Sequence, residues 1–106
     1  MLITKENLLI SGYVERTWYD TDSHTDTFKT LKFVEFSRQI TPDARIALTF
    51  AYKASKENRY KFLERSMELI LCNTEGIQLN CSLGELKTLA DILSKKSKLK
   101  KINNHA

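Results

Sequence analysis

Aromatic and basic side chains are interleaved along much of this sequence, and together they could hold a nucleic-acid strand. All ten aromatic residues lie between positions 13 and 62, and among them stand Arg16, Lys29, Lys32, Arg38, Arg45, Lys53, Arg59 and Lys61. Bases stack on aromatic rings, and phosphates pair with Lys and Arg. The pattern therefore predicts a non-catalytic protein that binds single-stranded DNA or RNA on a β-sheet.

The candidate stacking residues are the aromatics that flank predicted turns or share strand parity with polar residues. They are Tyr13, Trp18, Tyr19 and Tyr60. The candidate phosphate contacts are the cations Arg45, Lys53, Arg59 and Lys61. The phenylalanines Phe33, Phe36, Phe50 and Phe62 are predicted to pack in the core instead, and packing is an equally good role for the four stacking candidates.

The positive charge is concentrated at the C-terminal end of the sequence. Of 17 basic residues, five lysines fall in residues 95–106, which leaves 12 basic against 13 acidic residues in residues 1–94. We therefore predict one α+β domain over residues 1–94 and a basic tail over 95–106. Lys95, Lys96 and Lys98 would add a secondary attraction to phosphates. The alternative is a solvated helix end, where lysine suits the helix dipole.

Residues for other chemistry are sparse. Asp20, Asp22, His24 and Asp26 alternate as Ca²⁺-binding loops do, but Thr25 stands where such a loop has glycine and Leu31 where it has glutamate. An acidic, solvated hairpin tip explains this segment better. No nucleophile, phosphate-loop or dinucleotide motif occurs. The sequence therefore predicts no enzyme, no cofactor and no metal.

The cysteines and the N-terminus bear on location. Cys72 and Cys81 lack the spacing of a metal or redox motif, so both are expected to be free, buried thiols. The N-terminus has no secretory pattern, and no apolar run approaches the length of a membrane span. We expect an intracellular protein, cytoplasmic or nucleoid-associated, that does not cross a membrane.

The first half of the sequence is typical of strands. Residues 7–19 alternate between apolar and polar types, and residues 28–38 are rich in β-forming residues, so the two predict a long hairpin. Thr41, Pro42 and Asp43 could begin a helix, but the alternation of residues 45–53 favours a turn followed by a strand.

The second half predicts further strands and then a helix. Residues 60–72 fit a strand with a bulge near residues 64–66, although their spacing also allows a helix. A turn at residues 73–76 leads into a short strand over residues 77–79. Ser82 and Glu85 form a capping box for a helix with one apolar face, which consists of Leu83, Leu86, Leu89, Ala90 and Leu93. The fold class expected is α+β: an antiparallel sheet of four to six strands with one C-terminal amphipathic helix.

The strand-to-helix segment carries a resemblance to a known family. Residues 75–89, with the sequence EGIQLNCSLGELKTL, resemble the last strand and helix of the transcriptional coactivator positive cofactor four family and the related Whirly proteins. The likeness extends over residues 45–93. It implies a sheet with a helix, assembled into homodimers or higher oligomers, that binds single-stranded DNA through the sheet.

A second function class fits the same observations. The nearly neutral body and the lack of catalytic motifs also suit a small protein–protein interaction module. Such a regulatory, inhibitory or assembly subunit would act through a sheet edge or the leucine face of the C-terminal helix.

Overall fold

The computed structural model describes residues 2–20, 31–54, 59–72 and 76–103, with side chains described up to residue 95. The elements are, in chain order, α1 (Lys5–Ile10), β1 (Val14–Asp20), β2 (Leu31–Thr41), β3 (Ala44–Ala54), β4 (Tyr60–Leu71), β5 (Ile77–Gln78) and α2 (Leu83–Asn103).

The five strands form one antiparallel sheet in the order β1-β2-β3-β4-β5. Each strand therefore pairs with its sequence neighbour. With the C-terminal helix, this arrangement confirms the predicted α+β class and its strand count. It also confirms the hairpin between β1 and β2.

The segment around Pro42 forms a turn between β2 and β3, as the alternation predicted. The Thr41 side-chain oxygen accepts a hydrogen bond from the Asp43 backbone N–H at 3.2 Å. This contact tightens the chain reversal and leaves Ala44 free to begin the next strand. The alternative helix starting at Thr41 is therefore wrong.

The strand predicted over residues 7–19 is wrong in its first part. Thr4 caps a short helix by accepting the Asn7 backbone N–H at 3.1 Å, and α1 runs to Ile10 before β1 begins at Val14. Leu8 is completely buried in the core. Gly12, with φ of +91°, makes the turn from helix to strand in a conformation that glycine adopts without strain. Capping and burial outweigh the local alternation.

The strand predicted over residues 60–72 is confirmed, and so is its irregularity, one residue earlier than expected. Ala51 pairs with Glu64 and Tyr52 with Phe62, so Leu63 is an extra residue on β4. Such a bulge changes which side chains share a face on either side of it. Phe62 and Met67 therefore lie on the same face in spite of their odd spacing.

Helix α2 begins with the predicted capping box. The Glu85 backbone N–H donates to the Ser82 hydroxyl at 3.2 Å, and the Ser82 backbone N–H donates to the Glu85 carboxylate at 3.0 Å. Hydrogen bonding to the Glu85 carboxylate by the Ser82 backbone, and secondly by the Ser82 side chain, holds the pKa of Glu85 below its ordinary value. The helix runs on to Asn103, so the basic segment begins inside it.

The helices pack on one face of the sheet, which we call the helix face. A row of cross-strand partners, Phe36, Leu48 and Met67, lies at its centre. Leu8 of α1 and Leu83 and Leu86 of α2 complete this core. The opposite face carries Trp18, and we call it the Trp18 face.

Burial declines along the sheet toward its distal end, formed by Asp20, Leu31, Ala54 and Tyr60. On β4, Met67 and Leu69 are buried, whereas every residue from Tyr60 to Arg65 is exposed. The strands thus extend beyond the helix-covered core. Side chains on this extension face solvent even where their sequence pattern is that of a core strand.

Candidate nucleic-acid interface

One row of residues crosses the helix face at the distal end of the sheet. Tyr19 of β1 lies opposite Lys32 of β2, Lys32 opposite Tyr52 of β3, and Tyr52 opposite Phe62 of β4. Directly opposed residues of antiparallel strands share a face. Around this row we define the distal aromatic surface, which consists of Tyr19, Lys32, Phe50, Tyr52, Tyr60, Phe62 and Arg65.

The rings of this surface contact one another in two groups, one around Phe62 and one formed by Tyr19 and Tyr60. Tyr52 meets Phe62 edge-on at 5.9 Å between ring centroids, and Phe50 meets Phe62 at 6.5 Å. Tyr19 and Tyr60 come within 6.2 Å of each other although two strands lie between β1 and β4. These separations are typical of favourable aromatic pairs.

The rings of the distal aromatic surface contact the core on one side and are exposed to solvent on the other. Phe50 packs edge-on against the buried ring of Phe36 at 5.9 Å. By contrast, Phe62 is 58% exposed, Tyr19 45% and Tyr60 37%. Large exposed aromatic patches on a small protein mark interaction sites more often than not.

The charge on the distal aromatic surface is positive. The Lys32 ammonium lies 5.5 Å from the centre of the Tyr60 ring, within reach of a cation–π interaction. Arg65 lies opposite Phe50 and is exposed. Among the described residues, no Asp or Glu lies on the helix face at this end of the sheet. The helix-face positions concerned fall within residues 17–19, 32–34, 50–54 and 60–65.

The Trp18 face bears a second, smaller aromatic pair. Trp18 stacks on Phe33 with 5.4 Å between ring centroids and 18° between planes, and the Arg16 guanidinium lies 5.2 Å from the Trp18 ring centre. The strand register places equal numbers of basic and acidic residues on this face. The basic residues are Arg16, Arg45, Lys53 and Lys61, and the acidic residues are Asp20, Glu35, Glu64 and Glu68. The described strand residues of the Trp18 face thus carry no net charge.

The structure separates the residues that the sequence grouped together. Tyr19 and Tyr60 lie together on the distal aromatic surface. Trp18 lies on the opposite face, as do three of the predicted phosphate contacts: Arg45, Lys53 and Lys61. Arg45 is also engaged by the Glu35 carboxylate at 3.7 Å.

Tyr13 is a correction to the predicted stacking residues. It is only 4% exposed and belongs to the core cluster, so its ring cannot receive a base. Burial raises the pKa of its hydroxyl, and the nearby Arg38 partly opposes that shift. The turn at Gly12 that precedes it directs the chain onto the helix face rather than away from it.

The remaining predicted contacts lie elsewhere. Arg59 is exposed and immediately precedes β4, and Lys95 is exposed on α2. Lys96 and Lys98 belong to the helix backbone, but their side chains lie outside the described part of the structure.

The site predicted from the sequence omitted five residues of the surface: Lys32, Phe50, Tyr52, Phe62 and Arg65. Phe62 was assigned to the core, but it is exposed because β4 extends past the helices. Lys32 and Arg65 were passed over because strand parity alone does not identify the shared face across a bulge. The pairing register of neighbouring strands, and not the periodicity of one strand, shows that Lys32 and Arg65 share a face.

Two further predictions from the sequence concern metal binding and the cysteines. Asp22, His24 and Asp26 lie outside the described residues, and among the described ones no group of three or more His, Cys, Asp or Glu side chains could hold a metal. Both cysteines are free, but the expectation that both are buried is wrong, because Cys72 is exposed.

Comparison with protein-family models, curated proteins and solved structures found no match for this chain. The resemblance to the positive cofactor four and Whirly proteins therefore stays a prediction. Neither described helix has the length and apolar character needed to span a membrane.

Proposed function

We propose that this protein binds single-stranded DNA or RNA without catalysis, on the distal aromatic surface. The observation that carries the proposal is the coincidence of three exposed rings, Phe62, Tyr19 and Tyr60, with two cations and no acid on one end of one sheet face. A single strand offers the complementary chemistry, since its bases present flat π-faces and its phosphates are negative.

In the proposed complex the rings and cations have separate roles. Phe62, the most exposed ring, stacks on a base, and the neighbouring Tyr19 and Tyr60 rings support adjacent bases. Lys32, which lies between Tyr19 and Tyr52, and Arg65, which lies opposite Phe50, pair with phosphates. Stacking on a ring tolerates any base, so the preference for single strands should be stronger than any preference for sequence.

Electrostatics favour this surface over the Trp18 face. Both faces carry aromatic residues, but the acids of the Trp18 face cancel its basic residues. A phosphate backbone approaching that face meets Glu35, Glu64 and Glu68 as well as lysine and arginine. The distal aromatic surface presents Lys32 and Arg65 without such competition.

The test is a fluorescence-anisotropy titration of the full chain with labelled single- and double-stranded oligonucleotides. The proposal expects tighter binding of the single strand, and a weaker affinity for it in the Phe62→Ala variant. Replacing Lys95, Lys96 and Lys98 with Gln measures how much the basic helix end adds. If the triple variant alone abolishes binding, the site lies on the helix end and not on the sheet.

The single tryptophan supplies an internal control. Trp18 lies on the opposite face, so its fluorescence should change little when the strand binds to the distal aromatic surface. Strong quenching of Trp18 upon binding, as base stacking produces, would move the site to the Trp18 face.

A further inference from the structure

The outer edge of β4 is open over most of its length. Strand β5 pairs only with Glu68 and Leu69, and the Leu79 backbone N–H then donates to the Met67 carbonyl at 2.8 Å. From Tyr60 to Ser66, β4 pairs with β3 on one side, Arg59 immediately precedes this segment, and no described strand lies on the other side. The outward backbone N–H and C=O groups of this segment are available to another strand.

The open edge is also apolar at its centre. Phe62 and Leu63 are 58% and 52% exposed, and charged residues flank them: Lys61 on one side, Glu64 and Arg65 on the other. An exposed edge with an apolar centre is a template for strand pairing, whereas charged residues and bulges on it prevent pairing with strands that do not complement them. The arrangement of charges around the apolar centre determines which strand fits it.

We infer that this edge pairs antiparallel with the same edge of a second copy, which continues the sheet across a two-fold axis between Phe62 and Leu63. The open segment spans residues 59–66 and has its midpoint at this position. Arg59 then lies opposite Ser66 of the second copy, Tyr60 opposite Arg65, Lys61 opposite Glu64, and Phe62 opposite Leu63.

The edge is complementary to itself in this register. Two ion pairs form between Lys61 of one copy and Glu64 of the other, and the two-fold symmetry doubles every favourable pair. Tyr60 opposite Arg65 adds a cation–π contact on the other face. The bulge at Leu63 makes this possible, because it places Lys61 and Glu64 on one face, and Tyr60 and Arg65 on the other.

The neighbouring registers are excluded by the same residues. A shift by one residue in one direction places Lys61 opposite Arg65, and in the other it places Arg59 opposite Arg65. Both shifts oppose like charges, and both pair side chains that point to different faces. Of these three registers, the charges and the bulge therefore favour the one centred between Phe62 and Leu63, and a dimer closed in this way occupies the open edge of β4 in both copies.

The dimer has a consequence for the helix face. Tyr60 and Phe62 of both copies flank the two-fold axis, so the two distal aromatic surfaces become neighbours in one continuous sheet. The inference itself rests only on the β4 edge, and its test contains no nucleic acid. Its outcome is therefore independent of the proposed binding function.

The experiment is a sedimentation-velocity concentration series on the full chain and on charge variants. We expect the wild type to reach twice the 12.3 kDa mass of one chain. Lys61→Glu and Glu64→Lys, each alone, oppose like charges at both symmetric positions and should weaken the dimer about tenfold or more. The double variant K61E/E64K restores opposite charges and should restore the dimer.

Two features keep the result unambiguous. Lys61 faces Lys53 within the chain, so Lys61→Glu replaces a like-charge pair by an opposite one and should not unfold the monomer. Asp20→Lys reverses a charge on β1, the other edge, opposite the uncharged Leu31, and should leave the dimer intact. A wild type that stays monomeric, a double variant that stays dissociated, or dissociation by Asp20→Lys alone would each overturn the inference.

Discussion

Replacing Phe62 with Ala is expected to weaken the binding of single strands while leaving the protein folded. Truncation of a fully buried Phe costs about 3–5 kcal/mol. Because Phe62 is 58% exposed, roughly two fifths of that cost applies, or about 1–2 kcal/mol. A loss of this size leaves a domain of ordinary stability folded.

The loss in binding follows from stacking. One base stacked on an aromatic ring contributes about 1–3 kcal/mol. At about 1.4 kcal/mol for each tenfold change, the Kd should rise roughly 5- to 150-fold. Phe62→Tyr keeps the ring and should bind nearly as the wild type does.

The assay is anisotropy with a short labelled single strand, alongside urea denaturation of each variant. Ile77→Ala is the matched control, since Ile77 is 52% exposed and lies outside the distal aromatic surface. It should leave the Kd unchanged. If Phe62→Ala binds as tightly as Ile77→Ala while both remain folded, the stacking argument is refuted.

Three further predictions concern the fold that supports the surface. Leu8→Ala should lower the free energy of unfolding by about 2–5 kcal/mol in urea denaturation, because Leu8 is fully buried. Because the pKa of Glu85 is lowered from 4.5, its carboxylate stabilises the fold above that pH, and the contribution is lost as the pH falls. The wild type should therefore lose more stability than Glu85→Gln on acidification, and parallel losses would contradict this. Because burial raises the pKa of Tyr13, its hydroxyl should ionise at a higher pH than that of free tyrosine in an alkaline absorbance titration, and ionisation at the ordinary pH would contradict this.

Much of the fold could be predicted from local patterns. Alternation over residues 45–53 identified β3, the β-forming residues near the end of 60–72 identified β4, and the capping box at Ser82 and Glu85 identified the start of α2. These signals are local, so they need no knowledge of the rest of the chain. The first strand failed because Leu8 and Ile10 alternate like strand residues but lie on a capped helix.

The site was less predictable, because exposure is a property of the whole sheet. Tyr13 and Phe62 exchange their expected roles: the first enters the core beside α2, and the second extends past it. Nothing in the spacing of either residue shows where the helices stop covering the sheet. The bulge at Leu63 also reverses parity, so the face that unites Lys32 with Arg65 is visible only in the strand register.

The most direct test of the proposed surface compares two pairs of charge removals. Lys32→Ala with Arg65→Ala removes two cations from the distal aromatic surface, and Lys53→Ala with Lys61→Ala removes two from the Trp18 face. Each variant is titrated with a single strand at several salt concentrations. Since each phosphate contact contributes about 0.7 to the slope of log K against log salt, the first pair should flatten it by about 1.4. The second pair should leave the slope nearly unchanged, and a slope that flattens for the second pair but not for the first would contradict the account.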